Sequence, residues 1–246
     1  MRRVAAIIQA RMGSTRLPGK VLRDVGGRTM LERVINRTRR AKHLRQVVVA
    51  TSVSAADEPI VDHARDLGVE VVRGDEEWVL DRFYDAAQVV EADAVVRITA
   101  DCPLIEPELI DRVVEAFLGA APPADFAANI IERRYPRGLD VEVASREALG
   151  RVWREADQPH QRRHVFPYIY EHPGAFRMVS VTDPVDRSGM RWTVDTIDDL
   201  QFIRAVYEQF DNRDDVHWLD VIALLARRPD LMGLNAMVTQ KPLEER

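Results

Sequence analysis

Arg3-Val-Ala-Ala-Ile-Ile8 stands near the start of the chain and runs directly into Gln9-Ala-Arg-Met-Gly-Ser-Thr-Arg-Leu-Pro-Gly-Lys20. The first stretch is a short apolar run, which is typical of a strand buried on both faces. The second is rich in glycine, proline and hydroxyl residues, which predict a loop. Ligand-binding loops of parallel α/β sheets begin in this way, so the junction predicts an α/β fold.

The strand pattern recurs along the chain and alternates with longer amphipathic stretches. Strands are predicted at 3–8, 46–50, 69–72, 94–98, 126–131, 140–144 and near 176–181. Helices are predicted at 29–41, 55–66, 79–90, 106–118, 146–155, 161–171, 197–210 and 217–226. This alternation predicts a Rossmann-like fold with a mainly parallel central sheet, helices on both faces and antiparallel additions in the second half. The residues from 231 to 246 have little periodicity, and we expect a mobile tail there.

Charge and cysteine content exclude several classes of protein. The 35 Lys and Arg residues face 40 Asp and Glu, so no overall basic field exists to hold a nucleic-acid polymer. A basic cluster has the spacing of a solvated helix face and comprises Arg33, Arg37, Arg39, Arg40 and Lys42. Cys102 is the only cysteine and no apolar run has the length of a signal peptide or membrane span, which predicts a cytoplasmic protein without a membrane partner.

The loop after the first strand carries the groups that bind phosphate. Two glycines allow close backbone approach, two hydroxyls can donate, and three cations lie within ten residues. These are Gly13, Gly19, Ser14, Thr15, Arg11, Arg16 and Lys20. Backbone amides with that charge suit a triphosphate. The loop is not a P-loop, since five residues separate the glycines and Val21 stands where Ser or Thr would bind magnesium. The alternative is an ordinary surface turn with solvated arginines.

Two aspartates are candidate ligands for a divalent cation. Asp101 follows the strand at 94–98 within three residues, at the sheet edge where the first loop also emerges. Asp195 ends a short strand-like run and precedes a predicted helix. Magnesium needs few protein ligands, so two carboxylates with phosphates and water suffice. Alternatively, Asp195 caps the helix and Asp101 organises a turn.

Residues 8–22, from Ile8 to Leu22, resemble the opening motif of the spore-coat polysaccharide cytidylyltransferase family and are similar to CMP-Kdo and CMP-sialic acid synthetases. The likeness continues through five further motifs and spans the chain to about Met232. They are Val71-Val-Arg-Gly-Asp75, Val79-Leu-Asp-Arg-Phe-Tyr84, Arg97-Ile-Thr-Ala-Asp-Cys-Pro-Leu104, Tyr135-Pro-Arg-Gly-Leu-Asp-Val-Glu-Val143 and Arg191-Trp-Thr-Val-Asp-Thr196.

The resemblance implies a role for individual residues of this chain. Phosphate-handling catalytic residues are Arg11, Arg16 and Lys20. Residues that bind the nucleotide are Ala10, Arg11, Gly13, Ser14, Thr15, Arg16, Lys20, Arg73 and Thr99. By the resemblance, Arg82 is a candidate contact to the acceptor. Three further candidates flank the turn-prone residues 135–136, where guanidinium groups can bind a carboxylate or phosphate: Arg134, Arg137 and Asp140. The matching motifs place Mg²⁺ on Asp101 and Asp195.

The implied activity is magnesium-dependent transfer of CMP from CTP to a sugar-like acceptor, a nonulosonic acid or a sugar or polyol phosphate, with release of pyrophosphate. Thr99-Ala100 stand where CMP-Kdo synthetases have Gln-Gly, so Kdo itself is disfavoured. We expect one nucleotidyltransferase domain over 1–246, with a nucleotide-binding half at about 1–120, an acceptor and dimer half at about 121–230 and the tail. Relatives commonly form homodimers.

Two alternative functions, and the roles of two histidines and the cysteine, remain to be considered. A glycosyltransferase of similar fold would consume a nucleotide sugar, but its usual Asp-x-Asp motif is missing after Asp101. A non-catalytic nucleotide-binding regulator would not need the whole set of charged residues. His160 and His164 are interpreted as structural, since they lack the Glu of a zinc-protease helix. Cys102 is interpreted as packing, because neighbouring anions disfavour a thiolate.

Overall fold

A computed structural model describes residues 3–240 and contains one seven-stranded sheet. The strands are β1 (Val4–Gln9), β2 (Gln46–Ser52), β3 (Glu70–Gly74), β4 (Ala94–Thr99), β5 (Phe126–Ala128), β6 (Glu142–Ser145) and β7 (Met178–Ser180). Their order across the sheet is β3-β2-β1-β4-β6-β5-β7. Strands β1 to β4 pair in parallel, β6 is antiparallel to both β4 and β5, and β5 pairs in parallel with β7. The predicted mainly parallel sheet with antiparallel additions is confirmed.

Ten helices surround the sheet within the described range. They are α1 (Met30–Thr38), α2 (Glu58–Asp66), α3 (Val79–Val89), α4 (Pro107–Gly119), α5 (Arg146–Glu155), α6 (Pro159–Arg163), α7 (Pro167–Glu171), α8 (Ile197–Glu208), α9 (Trp218–Arg227) and α10 (Pro229–Gly233). Short 3₁₀ turns form at Lys20–Leu22 and Ala55–Asp57. None of these helices is both long and apolar enough to cross a membrane.

The side chains of β1 alternate between two apolar cores, one on each face of the sheet. Ala6 and Ile8 pack with helices α1, α4, α8 and α9, whereas Ala5 and Ile7 pack with α3, α5 and α7. All four side chains are almost completely inaccessible to solvent. A strand that is buried on both faces has an uninterrupted apolar sequence, which is why residues 3–8 predicted a buried strand.

The predicted helix at 161–171 is wrong as a single element. Two short helices, α6 and α7, take its place, with extended backbone at His164 between them. Pro167 has no N–H to donate and disfavours helical backbone at the residue before it, so a helix ends before Phe166. The break leaves His164 outside both helices.

The basic cluster that begins on α1 is not a solvated face, because its first two arginines are buried. Arg33 donates to the carboxylate of Asp214 at 2.7 Å and lies over the ring of Tyr207, with 4.4 Å from its guanidinium carbon to the ring centroid. Arg37 donates to the backbone carbonyls of Ile105 and Val216. These long-range partners pin α1 to the segment that precedes α9, which is a contact that helical spacing does not reveal.

The first part of the predicted tail, up to residue 240, packs against the rest of the protein. Helix α10 buries Leu231, and Asn235 is only 7% exposed. Buried side chains spaced as irregularly as Leu231 and Asn235 leave no periodic pattern in the sequence. The remainder of the predicted tail, 241–246, lies outside the described residues.

Candidate active site

The loop between β1 and the 3₁₀ turn at Lys20–Leu22 lies at the carboxyl edge of the sheet and is anchored by Asp57. One carboxylate oxygen of Asp57 accepts a hydrogen bond from the backbone N–H of Met12 at 2.7 Å. The other accepts from the hydroxyls of Thr51 and Ser52 and from the N–H of Ser52. Asp57 is 3% exposed and follows β2, so it fastens the loop of one strand to the end of its neighbour.

Replacing Asp57 by alanine is expected to lower the free energy of unfolding by about 3 kcal/mol, because several buried donors lose their acceptor. For a chain of this size the melting temperature then falls by about 6–12 °C. Thermal unfolding of Asp57→Ala measures the loss. The matched control is Asp62→Ala, an exposed position on α2; equal melting of the two variants would remove Asp57 as the anchor.

Lys20 lies between two carboxylates from distant parts of the chain. Its ammonium nitrogen is 2.6 Å from Oδ2 of Asp101 and 2.8 Å from Oδ1 of Asp195, and it also donates to the backbone carbonyl of Val194 at 2.8 Å. The side chain of Lys20 is 11% exposed, so little solvent screens these contacts. The structure therefore brings together the three residues that the sequence singled out for metal and phosphate chemistry.

These three groups stabilise one another in their charged forms. Burial alone lowers the pKa of Lys20, but Asp101 and Asp195 outweigh burial and raise that pKa above its ordinary value. Burial raises the pKa of each aspartate, yet the Lys20 ammonium brings the pKa of Asp101 below its usual range, and Lys20 with Arg191 and Arg16 does the same for Asp195. A cation and two carboxylates therefore coexist at neutral pH.

Helix capping does not account for Asp195. The N-cap of α8 is Thr196, whose hydroxyl accepts from the N–H of Asp199, while Asp199 accepts from the N–H of Thr196 in return. The carboxylate of Asp195 instead accepts hydrogen bonds from Lys20 and Arg191 and forms an ion pair with Arg16. The side chain of Asp195 therefore lies at the carboxyl edge of the sheet and does not cap α8.

A cavity of about 300 Å³ opens above this cluster. Ten of the predicted site residues line it: Arg11, Ser14, Thr15, Arg16, Lys20, Thr99, Asp101, Arg137, Asp140 and Asp195. Arg11 is exposed and makes no ion pair with any residue between 3 and 240. The first loop, the end of β4 and the segment before α8 therefore form one continuous site.

Five predicted site residues do not line this cavity. Ala10 is buried and donates its N–H to the carbonyl of Ala50, while Gly13 is exposed and a side chain there would meet nothing within 4 Å. Arg73 has a structural role: it donates to the backbone carbonyls of Ser52 and Ser54 and forms an ion pair with Glu58.

Arg82 and Arg134 also point away from the cavity. Arg82 is completely buried and donates to the backbone carbonyls of Asp75 and Glu76; burial, and then the charge of Arg11, lower its pKa. Arg134 donates to the carbonyl of Pro184 on the outer surface. Its neighbour Arg133 forms the bidentate pair with Asp140, at 2.7 and 2.8 Å. In an irregular segment the sequence does not show which of two adjacent arginines faces inward.

Among the side chains that line the cavity, Arg97, Glu142 and Gln240 were not singled out from the sequence, and His164 was interpreted as structural. Arg97 pairs with Glu142, whose other oxygen accepts from the hydroxyl of Tyr170 at 2.8 Å. A charged residue at an inward position of an otherwise apolar strand was the signal that could have revealed Arg97. No comparable local signal marked Gln240.

Gly138 allows the turn at 135–138 to pack against the segment before α8. Its φ is +107°, and an added Cβ would lie 2.6 Å from the carbonyl carbon of Trp192. The N–H of Trp192 donates to the carbonyl of Arg137 at 2.6 Å, so the two segments run side by side as a single β-bridge. This contact places Arg137 and Asp195 on walls of the same cavity.

Cys102 is buried next to Asp101 and is unsuited to nucleophilic attack. Burial, together with the charges of Asp101 and Asp140, raises the pKa of its thiol well above the ordinary value. The sulfur lies 3.1 Å from the hydroxyl oxygen of Thr99. The thiol therefore stays protonated at neutral pH, in agreement with its interpretation as packing.

The site can hold a divalent cation only with help from a ligand. Among residues 3–240 no group of three or more His, Cys, Asp or Glu is placed to bind a metal. Two oxygens, one each from Asp101 and Asp195, do converge on a single point, the nitrogen of Lys20. Magnesium bound with phosphates takes only one or two carboxylates from the protein, so this donor set fits it.

The fold and this cationic, carboxylate-containing cavity at the carboxyl edge of the sheet define a nucleotidyltransferase. The chain belongs to the cytidylyltransferase family, whose model matches residues 5–215. It is 35% identical over 237 residues to the spore coat polysaccharide biosynthesis protein SpsF of Bacillus subtilis, covering 94% of this chain and 97% of that protein.

Solved structures agree with this assignment. A cytidylyltransferase from Leptospira borgpetersenii superposes with a TM-score of 0.91 at 31% identity, covering 98% of this chain and 100% of that one. A CMP-2-keto-3-deoxy-manno-octonic acid synthetase solved with CTP shares the fold, with a TM-score of 0.65 at 21% identity, covering 84% of this chain and 99% of that one. The predicted family and fold are confirmed, and the glycosyltransferase and regulator readings give way to them.

Proposed function

We propose that this protein transfers CMP from CTP to an anionic, sugar-like acceptor in a magnesium-dependent reaction that releases pyrophosphate and supplies surface polysaccharide synthesis. The observation that carries the proposal is the convergence of Lys20, Asp101 and Asp195 at the base of the cavity. A site that only bound a nucleotide would need the cations but not two carboxylates focused on one point. The likeness to SpsF supports the polysaccharide context.

The first loop supplies the groups that would bind the triphosphate. Arg11 and Arg16 line the cavity on the same side as the hydroxyls of Ser14 and Thr15. Arg16 lies 2.9 Å from Asp195 and is 24% exposed, so a phosphate entering the cavity can reach its guanidinium. Charge-assisted hydrogen bonds of this kind are about twice as strong as neutral ones. The base would then lie toward Thr99 at the end of β4.

The acceptor would occupy the part of the cavity formed by β4, β6 and the turn at 135–138. Arg97 and Arg137 provide guanidinium groups there, and Asp140 and Glu142 provide hydrogen-bond acceptors for hydroxyls. Such a mixture suits a polyhydroxylated molecule that carries a carboxylate or a phosphate. A nonulosonic acid and a sugar or polyol phosphate both have this chemistry.

Magnesium would be held by Asp101 and Asp195 together with oxygens of the triphosphate. Bound there, it would neutralise phosphate charge and polarise the α-phosphorus. Lys20 now holds the two carboxylates in place, and a triphosphate gives its ammonium an alternative anionic partner. The same lysine can therefore organise the carboxylates before binding and contact phosphate afterwards.

The chain's own residues would act mainly by positioning and charge. An acceptor oxygen forms a bond to the α-phosphorus as the bond from that phosphorus to the bridging β-phosphate oxygen breaks, and pyrophosphate leaves with the electron pair. Arg11, Arg16 and Lys20 stabilise the charge that develops on the phosphates. A phosphate acceptor attacks without losing a proton, whereas a hydroxyl acceptor must give one up.

Pyrophosphate release tests the proposal directly. CTP, ATP, GTP and UTP are each supplied with magnesium and with a nonulosonic acid, a sugar phosphate or a polyol phosphate. We expect release with CTP and one acceptor class, abolished by EDTA. If no combination with CTP exceeds the rate of a Lys20→Met variant, the proposed activity is wrong.

Nucleotide preference is also expected in binding. CTP with magnesium should raise the melting temperature by about 5–10 °C at 100 times its dissociation constant, because a ligand at that excess stabilises the native state by about 2.7 kcal/mol. ATP, GTP and UTP at equal concentration should give smaller shifts. A larger shift with any of the three would overturn the choice of base.

A further inference from the structure

The C-terminal strap, residues 234–240, reaches the active site although it lies beyond the part of the chain that the family model matches, 5–215. Its base is anchored, since Leu231 is 5% exposed and Asn235 is 7% exposed. Its far end places Gln240 on the wall of the cavity. The strap is thus firmly attached at one end and in contact with the site at the other.

The strap meets the site at Arg191, each of whose three guanidinium nitrogens donates a hydrogen bond. Nε donates to Oδ1 of Asp199 at 2.9 Å, and Nη1 donates to the carboxamide oxygen of Gln240 at 2.5 Å. Nη2 donates to Oδ2 of Asp195 at 2.7 Å and to Asp199 at 3.1 Å. A guanidinium is planar and its donors are fixed relative to one another, so holding two edges determines where the third points.

Asn235 secures the other side of the same arrangement. Its amide nitrogen donates both to the backbone carbonyl of Arg191 at 3.1 Å and to Oδ1 of Asp199 at 3.0 Å. Asp199 is completely buried and accepts from the N–H of Asp195 at 2.9 Å. The strap therefore holds both Arg191, which donates to the side chain of Asp195, and Asp199, which accepts from the backbone N–H of Asp195.

We propose that the strap is a working part of the active site, in which Gln240 positions Arg191 and thereby fixes the carboxylate of Asp195 for the metal–nucleotide complex. This inference rests on the proposed function of Asp195. Gln240 is a neutral partner, so the positive charge of Arg191 is shared only between Asp195 and Asp199. Without Gln240, Nη1 loses its acceptor, and only the contacts with Asp199 then hold Arg191 against Asp195.

Calorimetric binding of CTP with magnesium and of CTP with EDTA tests the proposal, because the ratio of the two dissociation constants isolates the contribution of the metal. Gln240→Met keeps the length of the side chain and removes the acceptor oxygen. We expect the metal-dependent gain in CTP affinity to fall about tenfold, the lower end of the loss seen when partners of metal ligands are removed. Affinity for CTP in EDTA should change by less than twofold.

Turnover and a matched control complete the test. In Gln240→Met we expect kcat to fall together with the metal-dependent gain in CTP affinity. The melting temperature should stay within about 2 °C of wild type. Gln201→Met, at an exposed position on α8, should behave as wild type. If Gln240→Met keeps the wild-type ratio of dissociation constants, the inference is wrong even where wild type is active. If the ratio falls but wild type releases no pyrophosphate, the inference stands and the proposed reaction fails.

Discussion

Replacing Lys20 by methionine is expected to lower kcat/KM for pyrophosphate release by about 10²–10³-fold, the cost of losing one preorganised group that stabilises transition-state charge. The change also leaves Asp101 and Asp195 facing each other without the cation that now lies 2.6 and 2.8 Å from them. Lys20→Met should therefore melt at a lower temperature than wild type, and magnesium should restore part of the difference. Turnover and melting with and without magnesium measure both effects.

The control for Lys20 is an exposed lysine. Lys42→Met removes the same side chain from the surface after α1 and should leave turnover and melting unchanged. Lys20→Arg keeps the charge but not the compact ammonium that fits between two carboxylates, and we expect it to regain stability more than rate. Near-normal turnover of a folded Lys20→Met enzyme would remove Lys20 from the mechanism.

Asp101→Asn and Asp195→Asn are each expected to reduce kcat/KM by about 10³-fold or more. Each variant removes a negative ligand from an ion that stabilises the transition state by several kcal/mol, and about 1.4 kcal/mol corresponds to a factor of ten in rate. The shape of the side chain is kept in both variants. Since both aspartates act on one ion, the double variant should lose much less than the product of the two single losses. Turnover across a magnesium titration shows whether the lost activity returns at high metal concentration.

Asp198→Asn provides the control for the charge change at the start of α8. Its side chain is exposed and outside the cavity, so activity should remain at the wild-type level. Silent behaviour of Asp195→Asn would contradict the shared-metal proposal, and so would multiplicative losses in the double variant. Melting of every variant is checked alongside, so that a loss of folding is not counted as a loss of chemistry.

The strands, most helices and the position of the first loop were predictable because their signals are local. The apolar runs of β1, β2 and β4 and the amphipathic stretch of α5 carry their periodicity in consecutive residues. Where a local signal was overlooked, the prediction failed: Pro167 divides a helix that was predicted to be continuous. Where the deciding contacts are long-range, the sequence pattern gave a wrong prediction, as for the buried arginines of α1, or no signal, as for Asn235.

By itself the sequence determined the alternation of strands and helices and the chemistry of the loop that ends at Lys20, since both depend on residues close together in the chain. Tertiary structure alone decided that Lys20 meets Asp101, 81 residues away, and Asp195, 175 residues away. It also turned Arg133 rather than Arg134 toward Asp140 and brought Gln240 to Arg191. Such contacts follow from the order of the strands and from the packing of the segments that cross their ends. Strand order and segment packing depend on many interactions between residues far apart in the chain, so no short stretch of sequence predicts them.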